Sequence, residues 1–477
     1  MNISPSAPGF RHTGVLKPET RKRKTAISPA RTAAFDILLR VERESSYASE
    51  LLHSAESEQL SVADHGLATE LVMGVLRWRS LLDDKIAEAS SQPLAKLDPE
   101  VLIAIRLALY QLRWLDRIPA RAAIHESVEL VKRARKHSAA GFVNAVLRKL
   151  ANIPVASGTS KHLAPSSVQE LARNYAHPWW LVERWVERYG LSIAVQICQF
   201  NQSVPTTAIR LRTPSAEAEL LAEGIVLAPG ALLISARRVH SGDITKTHSY
   251  RAGEVAIQDE ASQLVAALVG SGSRILDCCA APGGKTLAIA DGNPRTSITA
   301  VELHPHRARL LQKLLRLGDS DSARQQQDVR VVTADARKLP TSTRFDRILA
   351  DVPCSGTGTL ARNPEIKWRL RPERISELHN LQLSILQSAM GHVSNGGRLI
   401  YSTCSLEREE NEDVVEEALR GNSSFHPIDC IAELNRLRSQ EKLSFADPAS
   451  LTRGPYLRTL PGIHLCDGFF AAILERS

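Results

Sequence analysis

The sequence predicts a multidomain chain in three parts: an all-helical domain over residues 29–154, a small α+β connector over 160–250, and a doubly wound α/β domain over 251–477. Three observations carry this reading. Apolar residues recur at three- and four-residue steps through the first third of the chain. A polar stretch around Gly158 then breaks that period. Beyond about Gly253, short apolar runs alternate with helical stretches, the pattern of parallel strands joined by helical crossovers.

The elements follow in order. Residues 1–28 carry Pro, Ser and the basic run 21–24 with no apolar stretch behind it, which reads as a disordered basic tail and not a secretory signal. Leu67, Leu71, Val75 and Trp78 mark one helix. Val101, Leu102, Ile105, Leu109 and Leu112 mark a second, with Asp98 and Pro99 suited to its start. Residues 139–150 make a third, turning Phe142, Val143, Val146 and Leu147 to a core. The connector mixes a helix at 178–189 with a strand at 207–212. In the last part, strands are expected at 274–279, 297–303, 329–334, 345–350 and 398–402, with helices at 306–317 and 375–393. Such sheets bind ligands beyond the carboxyl ends of their strands, so the chemistry is expected there.

Sixty Lys and Arg against 52 Asp and Glu give a formal charge of +8, which favours a polyanionic partner such as nucleic acid. The seven cysteines form no CxxC pair and no dense framework, so reduced thiols, a cytoplasmic location and no metal site are expected. No run of about 18 apolar residues appears, so no membrane span is expected.

The strand ends carry the unusual residues. The first runs into Cys279, Ala280, Ala281, Pro282, Gly283, Gly284 and Lys285, small residues that let a backbone approach a ligand at a helix start. A phosphate loop needs a glycine where Cys279 stands, so a nucleoside without a phosphate cradle fits better. Glu302 ends the second strand, placed to bond a ribose diol, and Asp335 follows the third, within reach of an adenine amine. Together these suggest an adenosine-containing cofactor. The fourth strand leads into Asp351 and Cys354, and the fifth into Cys404. One cysteine alone is usually a small buried hydrophobe; two at equivalent strand ends, one beside an aspartate, point to nucleophilic chemistry.

Here the chain resembles the Sun-type (NSUN) RNA cytosine-5 methyltransferases. The resemblance rests on Asp-x-Pro-Cys-Ser-Gly-x-Gly at 351–358, Ser-Thr-Cys-Ser at 402–405, Cys-Ala-Ala-Pro-Gly-Gly-Lys-Thr at 279–286 and the ending at 467–471. The N-terminal helices resemble a NusB-like RNA-binding domain, a pairing found in the bacterial branch that acts on 16S ribosomal RNA. The chain departs from the family in carrying Val352 for a common Ala and Glu302 for a common Asp, and residues 435–453 match nothing in it.

The resemblance implies a Rossmann-like catalytic domain, S-adenosylmethionine as cofactor, and rRNA processing that yields 5-methylcytosine. It assigns Cys404 as nucleophile, Cys354 as the residue that aids release, and Asp351 as the contact to N3 or the exocyclic amine. The chemistry alone allows either cysteine to attack. Carbon-5 of cytosine becomes nucleophilic only after a thiolate adds to carbon-6, so a thiolate, an acid and a base are all required. Lys285 and the cofactor's positive charge are candidate helpers for ionising Cys404. The base must be flipped out or single-stranded, and Lys367, Trp368 and Arg369 are candidate RNA contacts. Lys132, Arg133, Arg135 and Lys136 offer a second basic cluster. The expected assembly is a monomer acting on unassembled 16S rRNA. Transfer RNA as substrate, exocyclic-amine methylation and a non-catalytic antitermination factor are the alternatives.

Overall fold

The computed structural model describes residues 27–44, 46–54, 57, 59–152, 165–316 and 328–477, so the expected tail falls almost wholly outside the described residues. The N-terminal part is helical throughout. Its helix Pro99–Trp114 buries most of its length, because Val101, Ile105, Leu107 and Leu109 meet neighbours on several sides. Pro99 occupies the first turn, where a missing N–H costs nothing. The helix Val62–Arg77 starts on Ser61, whose hydroxyl accepts from the Asp64 N–H. Trp78 stacks on Trp114 at 5.4 Å between ring centroids, and Trp114 on Tyr110 at 5.2 Å. Each such ring removes a large apolar surface from water, at about 25 cal/mol per Å².

The connector opens with helices Val168–Asn174, Trp179–Tyr189 and Leu191–Gln202. A four-stranded antiparallel sheet follows, built from β1 (Thr207–Leu211), β2 (Val226–Pro229), β3 (Ala236–Ser241) and β4 (Val255–Ile257), in the order β2-β3-β1-β4. Leu360 and Leu406 complete the core of its helices, so the connector packs directly on the last domain.

That domain holds one sheet. Its parallel part is β7 (Asp328–Thr333), β6 (Ser297–Glu302), β5 (Arg274–Asp277), β8 (Phe345–Asp351) and β9 (Val393–Thr403), adjacent in that order. The edge beyond β9 is antiparallel: β13 (Phe470–Arg476) pairs with β9, and β10 (Phe425–Ile428), β11 (Thr452–Arg453) and β12 (Tyr456–Arg458) complete it. The sheet is therefore mixed, whereas the alternation of strands and helices predicts a parallel one. From β9 the chain passes through helices Glu412–Arg420 and Cys430–Ser439 and the strands β10–β12 before β13 pairs antiparallel with β9, its unbroken apolar run Phe470–Leu474 buried on both faces. β9 also begins earlier than expected, because Gly396 (φ +70°) lies in an irregular stretch that hides its alternation. The segment 435–453, which the resemblance leaves unplaced, pairs Leu443 with Leu233 of the connector. Among the described residues no helix is long and apolar enough to cross a membrane, and no group of three His, Cys, Asp or Glu is placed to hold a metal.

Candidate active site

β5 delivers Asp277 to the upper edge of the sheet, where it accepts from the Thr286 hydroxyl at 2.7 Å. Burial and the neighbouring charge of Asp351 push this carboxyl up to about 7, against the pull of Thr286 and Lys285. β5 stops there, because Cys278 and Cys279 belong to a turn: the Cys278 N–H donates to Leu349 and the Ala280 N–H to Val301. The loop continues through Ala281 and Pro282 to Gly283, at φ +114°, and the helix Gly284–Gly292 follows. A Cβ on Gly283 would lie 2.6 Å from Leu311, so both conformation and space require glycine.

This edge fits an adenosine cofactor. Asp277 Oδ1 and Gln258 Oε1 are buried without a hydrogen-bond partner among the described residues, and both residues lie against the loop, Asp277 through Thr286 and Gln258 beside Gly284. Glu302, at the end of β6, is buried and accepts from the His304 N–H at 2.9 Å. Asp335 caps the turn after β7 and is paired with Arg337 at 2.6 Å, so it would exchange that partner to reach an adenine. The carboxyl lies below its usual range because Arg337 bonds it.

β8 and β9 run in parallel with Asp351 opposite Ser402. The Ser402 hydroxyl donates to Asp351 at 2.7 Å, and Lys285 pairs with the other carboxylate oxygen at 2.8 Å. Burial disfavours the Lys285 charge, but Asp351, Cys404 and Asp277 hold its ammonium above the usual range. Its Nζ also lies 4.9 Å from the centroid of Phe469.

Just past these strands, Cys354 and Cys404 meet at 3.3 Å, sulfur to sulfur. The hydrogen bond to Cys404, burial, and the charges of Cys404 and Glu410 keep the Cys354 thiol well above its ordinary value. The loops carrying the two cysteines are locked: Gly358 N–H donates to Cys404 O at 2.9 Å, and Gly468 N–H to Gly358 O at 2.8 Å. A Cβ on Gly358 would fall 2.1 Å from the Gly468 carbonyl oxygen.

The next residues converge too. The Ser405 hydroxyl donates to Glu410 at 2.5 Å, the Ser355 hydroxyl bonds the same oxygen, and the Ser355 N–H reaches the other at 2.8 Å. Gln382 adds a bond at 2.9 Å. One buried carboxylate thus ties together the residues that follow both cysteines.

Residues 267–475 match the family described as 16S rRNA methyltransferase RsmB/F, and residues 28–152 match the NusB family. A probable ribosomal RNA small subunit methyltransferase B of Bacillus subtilis is 36% identical over 467 residues, covering 95% of this chain and 99% of that protein. The chain belongs to the RsmB/F family of rRNA methyltransferases. Ribosomal RNA small subunit methyltransferase B of Vibrio cholerae is 31% identical, covering 88% of this chain and 92% of that one. The crystal structure of PH0851 shares the fold over 94% of this chain and 99% of its own, with a TM-score of 0.76 at 22% identity. NSun6 from Pyrococcus horikoshii, solved with SFG, shares it over 63% of this chain and 98% of its own, with a TM-score of 0.52 at 19% identity.

As an RsmB/F methyltransferase the protein uses S-adenosylmethionine. Its NusB-like domain is joined to the catalytic domain by the residues expected to touch RNA, and here the expectation is corrected. Lys367 is only 1% exposed and donates to the Arg77 carbonyl at 2.9 Å. Burial drives its pKa well below the usual value. Trp368 Nε1 donates to Leu76 O at 2.6 Å, and Arg369 to Val41 O and Ser46 O at 2.6 Å each. All three satisfy carbonyls at or just past helix ends in the N-terminal domain, which need external donors. In the other basic cluster, Lys132, Arg133 and Lys136 are paired with Glu129, Asp36 and Asp98.

Sequence reading missed Asp277 and Glu410. Glu410 lies in the run 407–412, which has the composition of a solvated face. In the fold Glu407 instead receives Arg184 and Trp185, and Glu412 receives Arg188 and Arg458.

Proposed function

We propose that the protein methylates carbon-5 of a cytosine in 16S ribosomal RNA through a covalent adduct between Cys404 and carbon-6. The observation that carries this reading is the 3.3 Å contact of two thiols beside Asp351, at the strand ends next to the cofactor loop. A methyltransferase acting on an exocyclic amine has no use for a nucleophilic thiol, still less for a second one held protonated against it.

The Cys404 thiolate adds to carbon-6 of the flipped-out base, and carbon-5 becomes enamine-like. Lys285 stabilises negative charge at this edge, which favours the thiolate. Asp351, fixed by Lys285 and Ser402, presents a carboxylate to the exocyclic amine and orients the ring. S-adenosylmethionine, held by the loop Cys279–Lys285 with Glu302 and Asp335, supplies an electrophilic methyl group when bound. A base then takes the carbon-5 proton as the carbon–sulfur bond to Cys404 breaks, and the Cys354 thiol aids release by hydrogen-bonding the departing thiolate, which is left ready for the next turn.

The test is transfer of labelled methyl to protein-free 16S rRNA and, separately, to transfer RNA, with the product mapped by bisulfite sequencing. Label in a single 16S cytosine, resistant to bisulfite, is expected. Label in transfer RNA alone, or in an N4-methylated base, would overturn the reading.

A further inference from the structure

One turn of the NusB-like domain is bonded to the catalytic domain. The residues around Tyr47 are pinned to the segment that leads out of the Cys354 loop. The Ala48 N–H donates to the buried Glu365 carboxylate at 2.8 Å, the Ser49 hydroxyl to Asn363 at 3.2 Å, and Arg369 donates to Ser46 O at 2.6 Å. That segment is itself fixed to the active site. Gly358 bonds Cys404, and Arg362 bridges Asp467 and Asp259 at 2.9 and 3.0 Å. The turn between two helices of the N-terminal domain therefore has a set position relative to the cysteines.

Tyr47, held in this frame on both sides, does not turn inward. Its residue surface is 45% exposed, the helix Ala48–Leu52 starts directly after it, and its hydroxyl has no hydrogen-bond partner among the described residues. Burial raises its phenol above the ordinary value, and the charges of Cys404, Cys354 and Glu365 act in the same direction.

We infer that Tyr47 forms the aromatic wall of the target-base pocket and stacks on the flipped-out pyrimidine, so that the NusB-like domain supplies part of the active site. The inference rests on the RNA methyltransferase reading and adds a residue from a different domain to it. It also gives the interdomain joint of Glu365, Lys367, Trp368 and Arg369 a purpose, which is to hold that wall at a fixed distance from the sulfurs.

The experiment compares the full-length protein with Tyr47→Ala and Tyr47→Phe, using protein-free 16S rRNA. RNA affinity is titrated without cofactor, and steady-state methyl transfer is measured with it. Losing one base stack weakens affinity by about tenfold or more. Tyr47→Ala is expected to lose at least that much in RNA affinity and in kcat/KM, with S-adenosylmethionine affinity and melting temperature unchanged. Tyr47→Phe is expected to stay within about twofold of the wild type. Wild-type affinity and turnover in Tyr47→Ala, or equal losses in both variants, would overturn the inference. The binding arm decides it independently of the reaction: a wild-type protein that binds the RNA and transfers no methyl would sink the proposed function and leave the stacking result standing.

Discussion

The sulfur of Cys354 lies 3.3 Å from that of Cys404, and the hydrogen bond to Cys404 together with burial raises the Cys354 thiol well above its ordinary value. Brief treatment with iodoacetamide near neutral pH should therefore label Cys404 before Cys354, because the thiolate is the reactive form. Peptide mass spectrometry after partial alkylation checks this. Faster labelling of Cys354 would reverse the assigned roles.

The Glu410 carboxylate aligns the two cysteine loops through Ser355 and Ser405. Glu410→Ala leaves the buried Ser355 N–H without its acceptor and the Ser355 and Ser405 hydroxyls with only each other and Thr357, at a cost of about 1–3 kcal/mol for each group left unsatisfied. Urea unfolding should show a loss of several kcal/mol. Where the variant is folded, kcat should fall by about a hundredfold with cofactor affinity kept, a cost of misalignment by about an ångström. Unchanged kcat would show that the clamp is only structural.

Much of the site is legible in the sequence because its chemistry lies at strand ends, where small residues and isolated carboxylates stand out. Cys354, Cys404, Asp351 and the loop Cys279–Lys285 all occur in such breaks in the pattern. Glu410 was hidden for the opposite reason: between Glu407 and Glu412 it looks like surface charge, and only the fold brings Ser355 and Ser405 to it. Lys367 and Trp368 resembled a nucleic-acid contact because sequence shows residue type and not the helix end each one caps. β13 was obscured because a strand buried on both faces has no alternation to read.

Lys367 is buried and bonded to a carbonyl, so it makes no phosphate contact. Lys367→Met should leave the salt dependence of RNA binding unchanged. A lysine on a phosphate would lower that slope by about 0.7–0.9 when removed. Trp368→Ala should instead destabilise the protein by about 3–5 kcal/mol through the interdomain joint. Affinity titrations across a range of salt, with urea unfolding alongside, separate the two roles.

Asp277 gives a stability signature in pH. Its folded pKa is raised to about 7, chiefly by burial, above the unfolded value of about 3.9. A group with a raised folded pKa contributes stability that is fully present below the unfolded pKa and lost as pH rises through the folded one. Between about pH 4 and pH 7 the wild type should therefore lose stability relative to Asp277→Asn, which cannot ionise, by up to about 4 kcal/mol. Paired urea titrations at pH 5 and pH 8 measure the difference. An equal gap between wild type and variant at both pH values would mean that the carboxyl does not titrate in this window.

The most direct test of the central claim, that Cys404 attacks and Cys354 releases, is adduct formation on 16S rRNA containing 5-fluorocytosine. Fluorine at carbon-5 blocks the final proton removal, so the carbon–sulfur bond persists through denaturing electrophoresis. Wild type and Cys354→Ala should both give the shifted protein–RNA band, Cys354→Ala should also trap adduct on unmodified RNA, and Cys404→Ala should give none. A band that survives in Cys404→Ala and disappears in Cys354→Ala would contradict the assignment.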